Sequence, residues 1–272
     1  MSTPASIQKE KIELTNSIYS YLLYSEDRCP EKVMIFVHGL GVYTNLYRDW
    51  LDQFVENGYA IYCFDLPGHG LSLGMRGDIG SYESLFLLID RLFELSKRRY
   101  VSIPVVLYGH SLGGNIVLSY LKQKKNSVVA ATVVTGPWLQ LNGRFYCLAS
   151  YISSFLNKRG LHLIVPRKIK LLEDLKRNNP DPYLHYNIST DTFYQAQAYG
   201  KDLLQKNSLD DQILIVHGLL DRVTSADLSR KLALFNSNTT FKGFDKTAHH
   251  LLYSEECATI FKYINHWIDE SI

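Results

Sequence analysis

A chain of 272 residues with 46% hydrophobic positions can bury one sizeable core with a modest insertion beside it, which excludes a small disulfide-stapled scaffold. Lys plus Arg number 29 against Asp plus Glu 27, and the net charge of +2 carries neither the basic signature of a nucleic-acid binder nor the composition of a disordered chain. The cysteines Cys29, Cys63, Cys147 and Cys257 stand far apart, with no zinc-ligand spacing, and are expected to be free buried thiols of a reducing compartment.

The first residues, MSTPASIQKEKIELT, lack the basic segment and apolar stretch of a secretory signal, and no Gly follows Met1 for myristoylation. No apolar run approaches the roughly 18 to 20 residues that span a bilayer, so a soluble, cytoplasmic protein is expected. Short apolar runs then recur, each ending in a turn. Val33–Val37 precedes His38-Gly39, Tyr59–Phe64 precedes Asp65, Val105–Tyr108 precedes Gly109, Val128–Val134 precedes Thr135-Gly136-Pro137, and Ile213–Val216 precedes His217-Gly218. Such runs are apolar on both faces, as strands covered by helices on both sides must be. Between them, Tyr82–Lys97 places Leu85, Leu88, Ile89, Leu92, Phe93 and Leu95 at near-helical spacing. Strand alternating with helix predicts an α/β fold with a mostly parallel sheet.

From about Trp138 to Gln205 the alternation stops. No strong buried strand is visible, and an amphipathic stripe (Phe145, Leu148, Ala149, Ile152, Leu156) is followed by seven bases (Lys158, Arg159, Arg167, Lys168, Lys170, Lys176, Arg177) against Glu173 and Asp174. The reading is a helical lid over residues 138–205, inserted after the sixth strand of a core made of residues 1–137 and 206–272. At the carboxyl end Ser254 is expected to cap a helix with Glu255 and Glu256 in its first turn and Ile260, Phe261, Ile264, Trp267 and Ile268 on its apolar face.

The chemistry centres on Gly109-His110-Ser111-Leu112-Gly113, a G-x-S-x-G run. By composition alone this pattern arises in about one chain in ten of this length. Its setting between a strand and a helix makes it informative, because that elbow lifts Ser111 above the sheet and aims a helix N-terminus at a developing oxyanion. A serine hydroxyl needs a base and an orienting carboxylate, and in the chain order Ser, Asp, His the carboxylate is Asp221, just past the Ile213–Val216 strand. The base then falls in the loop after Thr239–Phe244, where His249 and His250 are adjacent and either satisfies the order. His38, His69, His110, His162, His185 and His266 do not. The backbone N–H groups of Leu40, in His38-Gly39-Leu40-Gly41, and of Leu112 are the expected oxyanion donors.

These residues resemble the α/β-hydrolase superfamily and, within it, the monoacylglycerol lipase and lysophospholipase group related to the serine aminopeptidases. The resemblance runs through HGLG at His38–Gly41, DLPGHGLS at Asp65–Ser72, GHSLGG at Gly109–Gly114, GLLDRVTS at Gly218–Ser225, HHLL at His249–Leu252 and Asn179-Pro180-Asp181-Pro182. It implies an α/β-hydrolase fold, acyl transfer to Ser111, Asp221 as orienting acid, and no metal or organic cofactor. For the base, Leu251 and Phe244 stand at the family's offsets from His249, whereas Glu255 stands at the family's offset from His250. Capping of the last helix by Ser254 favours His249, with His250 the alternative. The resemblance further implies a single-chain lipid ester as substrate, while the amphipathic stripe beside the run of bases suggests peripheral membrane contact through the lid and the charge balance suggests no nucleic-acid partner; the oligomeric state is left open. An aminopeptidase would need lid carboxylates for a substrate ammonium, where this insertion is net basic. A non-catalytic binding module is expected to lack a triad member, and none is missing.

Overall fold

In the computed structural model of the chain, residues 6–124, 129–142, 152–153, 155–156, 163–166, 181–205 and 209–272 are described. An eight-stranded sheet runs through the molecule in the order β1 (Ile7–Thr15), β2 (Ile18–Ser25), β4 (Tyr59–Phe64), β3 (Lys32–Val37), β5 (Val105–His110), β6 (Val129–Thr135), β9 (Ile213–Gly218), β10 (Thr239–Phe244). From β4 to β10 every pairing is parallel, while β1 and β2 form an antiparallel hairpin that joins the sheet antiparallel to β4.

The two-sided apolar strands have the structural cause expected of them. Val33, Ile35 and Val37 point to one face and Met34 and Phe36 to the other, and β4, β5 and β9 divide their residues in the same way. On the first face lie α2 (Tyr82–Arg99), α3 (Leu112–Gln123), α4 (Thr190–Leu203) and α5 (Ala226–Phe235); on the second lie α1 (Arg48–Glu56) and α6 (Cys257–Ser271). Trp50 and Phe54 of α1 meet Phe261 of α6 edge-on, with Phe54 and Phe261 ring centres 4.7 Å apart. Burial at about 25 cal/mol per Å² makes these two layers the main source of stability.

Several particulars differ from the sequence reading. The β1–β2 hairpin was not among the predicted strands, since Lys9, Glu10, Lys11 and Glu13 keep β1 largely wet on its edge. Helix α6 starts at Cys257 with Glu256 at its N-cap, not at Ser254. Ser254 instead accepts the Glu256 N–H at 3.0 Å, a tight side-chain turn. The Glu256 carboxylate is taken by the Lys246 N–H (2.9 Å) and the Thr247 hydroxyl (2.7 Å), so it pins the loop before His249 rather than serving a helix dipole. Of the cysteines, Cys63 is a buried free thiol, but Cys29 is exposed and Cys257 half-buried; Cys147 lies outside the described residues.

The insertion follows β6, as predicted. Its described parts include a two-stranded antiparallel ribbon, β7 (Ile164–Pro166) with β8 (Asn187–Ser189), and α4, which buries Phe193, Ala196 and Leu203 in the core. Of the predicted stripe, Ile152 is exposed and Leu156 half-buried, while Phe145, Leu148 and Ala149 lie outside the described residues, as do all seven bases. Among the described residues no helix is long and apolar enough to cross a membrane.

Candidate active site

Ser111 occupies the turn between β5 and α3 at φ +55° and ψ −114°, a conformation that costs a non-glycine residue of order 1–3 kcal/mol. Three backbone hydrogen bonds hold it there. The Ser111 N–H donates to Thr135 O at 2.9 Å, and its carbonyl accepts from Trp138 N (3.0 Å) and Asn115 N (3.1 Å). The flanking glycines are demanded by close approach: a Cβ at Gly109 would strike the Gly113 carbonyl, and one at Gly113 would strike Val37 O.

The chain order Ser, Asp, His closes in space. His249 Nε2 lies 2.9 Å from Ser111 Oγ, and His249 Nδ1 lies 2.7 Å from Asp221 Oδ2. With Nδ1–H donating to the carboxylate, Nε2 is left as the acceptor for the serine proton. The ring of the neighbouring His250 packs among His249, His110 and Tyr253, with centres 5.2, 5.3 and 6.4 Å away. Desolvation, reinforced by His249, pushes His250 down to about 3, and the same causes hold the buried His110 well below the usual imidazole range. Neither ring is charged near neutral pH, so a proton arriving on His249 meets no standing positive charge from them.

Asp221 is bound on every side. Oδ1 accepts the N–H groups of Val223 (2.7 Å) and Thr224 (3.0 Å), and Oδ2 accepts from His249, from His217 Nε2 (3.1 Å) and from the Thr224 hydroxyl (2.9 Å). Burial alone would raise this carboxyl, but its electrostatic interaction with the His249 ring and the hydrogen bonds from His217 and His249 outweigh it, and the group sits far below the ordinary carboxylate range. The sequence reading missed His217. Its Nδ1 meets Ser229 Oγ at 2.9 Å, which orients the ring so that Nε2–H donates to Asp221. The available signal was the spacing of four between His217 and Asp221 across a glycine turn.

Of the two expected oxyanion donors, Leu112 directly follows Ser111 and Leu40 lines the same cavity. Leu112 is the first residue of α3, where an N–H has no intrahelical acceptor. The His38–Gly41 turn presses against the nucleophile, a Cβ at Gly39 falling 3.2 Å from Ser111 Cβ, and Leu40 lines the cavity there. His38 braces this turn by accepting the Leu66 N–H at Nε2 (2.9 Å) and donating from Nδ1 to Gly39 O (2.7 Å). Asn115, also missed, locks the opposite wall. Its amide donates to Trp138 O (2.6 Å) and Ala196 O (3.0 Å) while its carbonyl accepts from Tyr82 Oη (2.6 Å), tying α3 to α4 and to the loop after β6.

The cavity over Ser111 has an apolar wall of Leu40, Val42, Trp138, Leu141 and Val223 facing His110, His249 and His250. A larger cleft of about 540 Å³ lies along the β1–β2 hairpin, but no triad residue lines it and it brings no nucleophile and base together.

A serine set on a strand-to-helix elbow, a histidine within reach of it and a carboxylate behind the histidine, on a mostly parallel sheet, make the triad arrangement of serine hydrolases on an α/β-hydrolase fold. The chain belongs to the serine aminopeptidase (S33) family, which it matches over residues 28–256. A Bacillus subtilis phospholipase, YtpA, is 28% identical over 137 residues, which are 50% of each chain. A Mycolicibacterium smegmatis monoacylglycerol lipase is 22% identical over 260 residues, 91% of each chain. The crystal structure of Paleococcus ferrophilus monoacylglycerol lipase superposes with a TM-score of 0.82 at 24% identity, over 94% of this chain and 99% of that one, and shows the shared fold. The chain spans 50% of the length of YtpA and 27% of that of a Dictyostelium discoideum abhydrolase-domain protein it also matches.

Proposed function

We propose that this protein hydrolyses carboxylic esters of single-chain lipids, monoacylglycerols or lysophospholipids, through an acyl-enzyme on Ser111. The observation that carries this reading is the Ser111–His249–Asp221 hydrogen-bonded chain facing an apolar wall. Ser111 Oγ attacks the ester carbonyl as its proton passes to His249 Nε2, and Asp221 stabilises the imidazolium. The oxyanion is held by the Leu40 and Leu112 N–H groups. His249 then gives its proton to the departing glycerol oxygen, and water repeats the sequence in reverse to release the fatty acid. The phospholipase and lipase names of the relatives agree with a lipid ester. A panel of monoacylglycerols, lysophospholipids, short p-nitrophenyl esters and amino-acid arylamides tests it. The highest kcat/KM is expected on a single-chain lipid ester; a preference for arylamides would replace this reading with an aminopeptidase.

In this reading the lid lies within residues 138–205, of which α4 belongs to the packed core. The cavity at Ser111 has room for about one water, whereas ligand pockets for molecules of lipid size run to hundreds of Å³, so entry of an acyl chain requires its wall to move. Beyond residue 180 the insertion is anchored to the core, with Tyr43 Oη donating to Asp181 (2.6 Å) and the His185 N–H to Gly41 O (3.1 Å). The bases that precede this anchor suit an interface with anionic headgroups. Anionic vesicles should therefore sediment the wild type more strongly than the variant Arg167→Ala/Lys168→Ala/Lys170→Ala, and neutral vesicles should not discriminate. Equal binding of both proteins to anionic vesicles would remove the interfacial role of the basic run.

A further inference from the structure

We propose that His110, His249 and His250 form an inhibitory binding site for a transition-metal dication of the zinc class. The three rings make a nearly equilateral triangle, with centres 5.1 Å apart for His110 and His249, 5.3 Å for His110 and His250, and 5.2 Å for His249 and His250. A metal held about 2.0–2.1 Å from three imidazole nitrogens in tetrahedral geometry places the ring centres roughly 5 Å apart. The side chains thus already stand at the spacing of a three-histidine site. One nitrogen from each lies within 4.8 Å of the other two.

The hydrogen bonds around the rings favour the same outcome. In metal sites a ligating histidine gives its second nitrogen to a carboxylate, carbonyl or similar partner, which aims the first at the ion. His249 Nδ1 is held by Asp221 at 2.7 Å, and His110 Nδ1 meets Thr135 Oγ1 at 2.9 Å, so both present Nε2. His110 Nε2 is buried and has no hydrogen-bond partner among the described residues, a cost that a bound ion would relieve. The only competitor at His249 Nε2 is the Ser111 hydroxyl among the contacts described, which an ion can displace. Imidazole sets of this kind select zinc, copper or nickel over magnesium or calcium, whose ligands are oxygen. A metal on His249 Nε2 occupies the lone pair that would accept the serine proton, so binding stops acyl transfer without altering the fold.

The loss of activity rests on His249 being the base, but binding does not, and the two are read separately. Calorimetric titration of zinc chloride into Ser111→Ala should show one zinc per chain. His250→Ala in the same background should bind at least about tenfold more weakly, and His250→Gln should behave alike, with circular dichroism melts confirming that both are folded. In protein retaining Ser111, zinc should inhibit ester hydrolysis and a chelator should reverse it. The His250→Ala protein, measured against its own metal-free rate, should need at least about tenfold more zinc. Magnesium should do nothing. Zinc binding that is absent from Ser111→Ala, or equally tight in the folded His250 variants, would overturn the proposal whatever the hydrolytic assays show.

Discussion

Ser111→Ala should lower kcat by about 10⁶-fold, the scale on which removal of a triad nucleophile acts in serine hydrolases, and should abolish labelling by a fluorophosphonate probe that modifies the wild type stoichiometrically. The structural grounds are local. Ser111 is held above the sheet in a strained conformation by Thr135, Trp138 and Asn115, and its hydroxyl points at His249 Nε2 from 2.9 Å. Alanine at the same position keeps the three backbone bonds and removes only the oxygen, so the variant should melt within a few degrees of the wild type. Labelling that persists in Ser111→Ala would place the nucleophile elsewhere.

His249→Ala should reduce kcat/KM by about 10³-fold or more, or some 4 kcal/mol of transition-state stabilisation, whereas His250→Ala should cost less than about tenfold. The two side chains are neighbours in sequence and yet occupy different surroundings. His249 spans Ser111 and Asp221, while His250 packs against His110 and Tyr253. Truncating His249 also leaves Asp221 with one fewer donor, although His217 and Thr224 still hold its Oδ2 and should preserve the loop. Steady-state rates of the two variants on one soluble ester give the comparison, and the reverse ranking would move the base to His250.

The choice between these histidines shows how a sequence argument can reach a residue for an insufficient reason. Ser254 was read as the cap of the last helix, which favoured His249, but the helix begins three residues later and Glu256 is its N-cap. Ser254 and Glu256 are spent on the loop that carries the histidines. Helix entry depends on which backbone donors tertiary neighbours already satisfy, and that information is absent from a local window.

Local chemistry in the chain was enough for the α/β architecture, the elbow at Ser111 and the position of Asp221. Strands buried on both faces must be apolar at every position, a glycine-flanked serine after such a strand marks a turn that only small neighbours permit, and an acid just past a parallel strand lies at the sheet's carboxyl edge. What lay beyond reach was set by contacts distant in sequence. The β1–β2 hairpin has a solvated edge strand whose charges hide its pairing, and His217 and Asn115 gain their positions only when β9, α3 and α4 are packed together. The triangle of His110 with His249 and His250 brings ring nitrogens from opposite halves of the chain within 4.8 Å, a proximity created where the carboxyl ends of the parallel strands β5 and β10 reach the same edge of the sheet and carried by no local pattern.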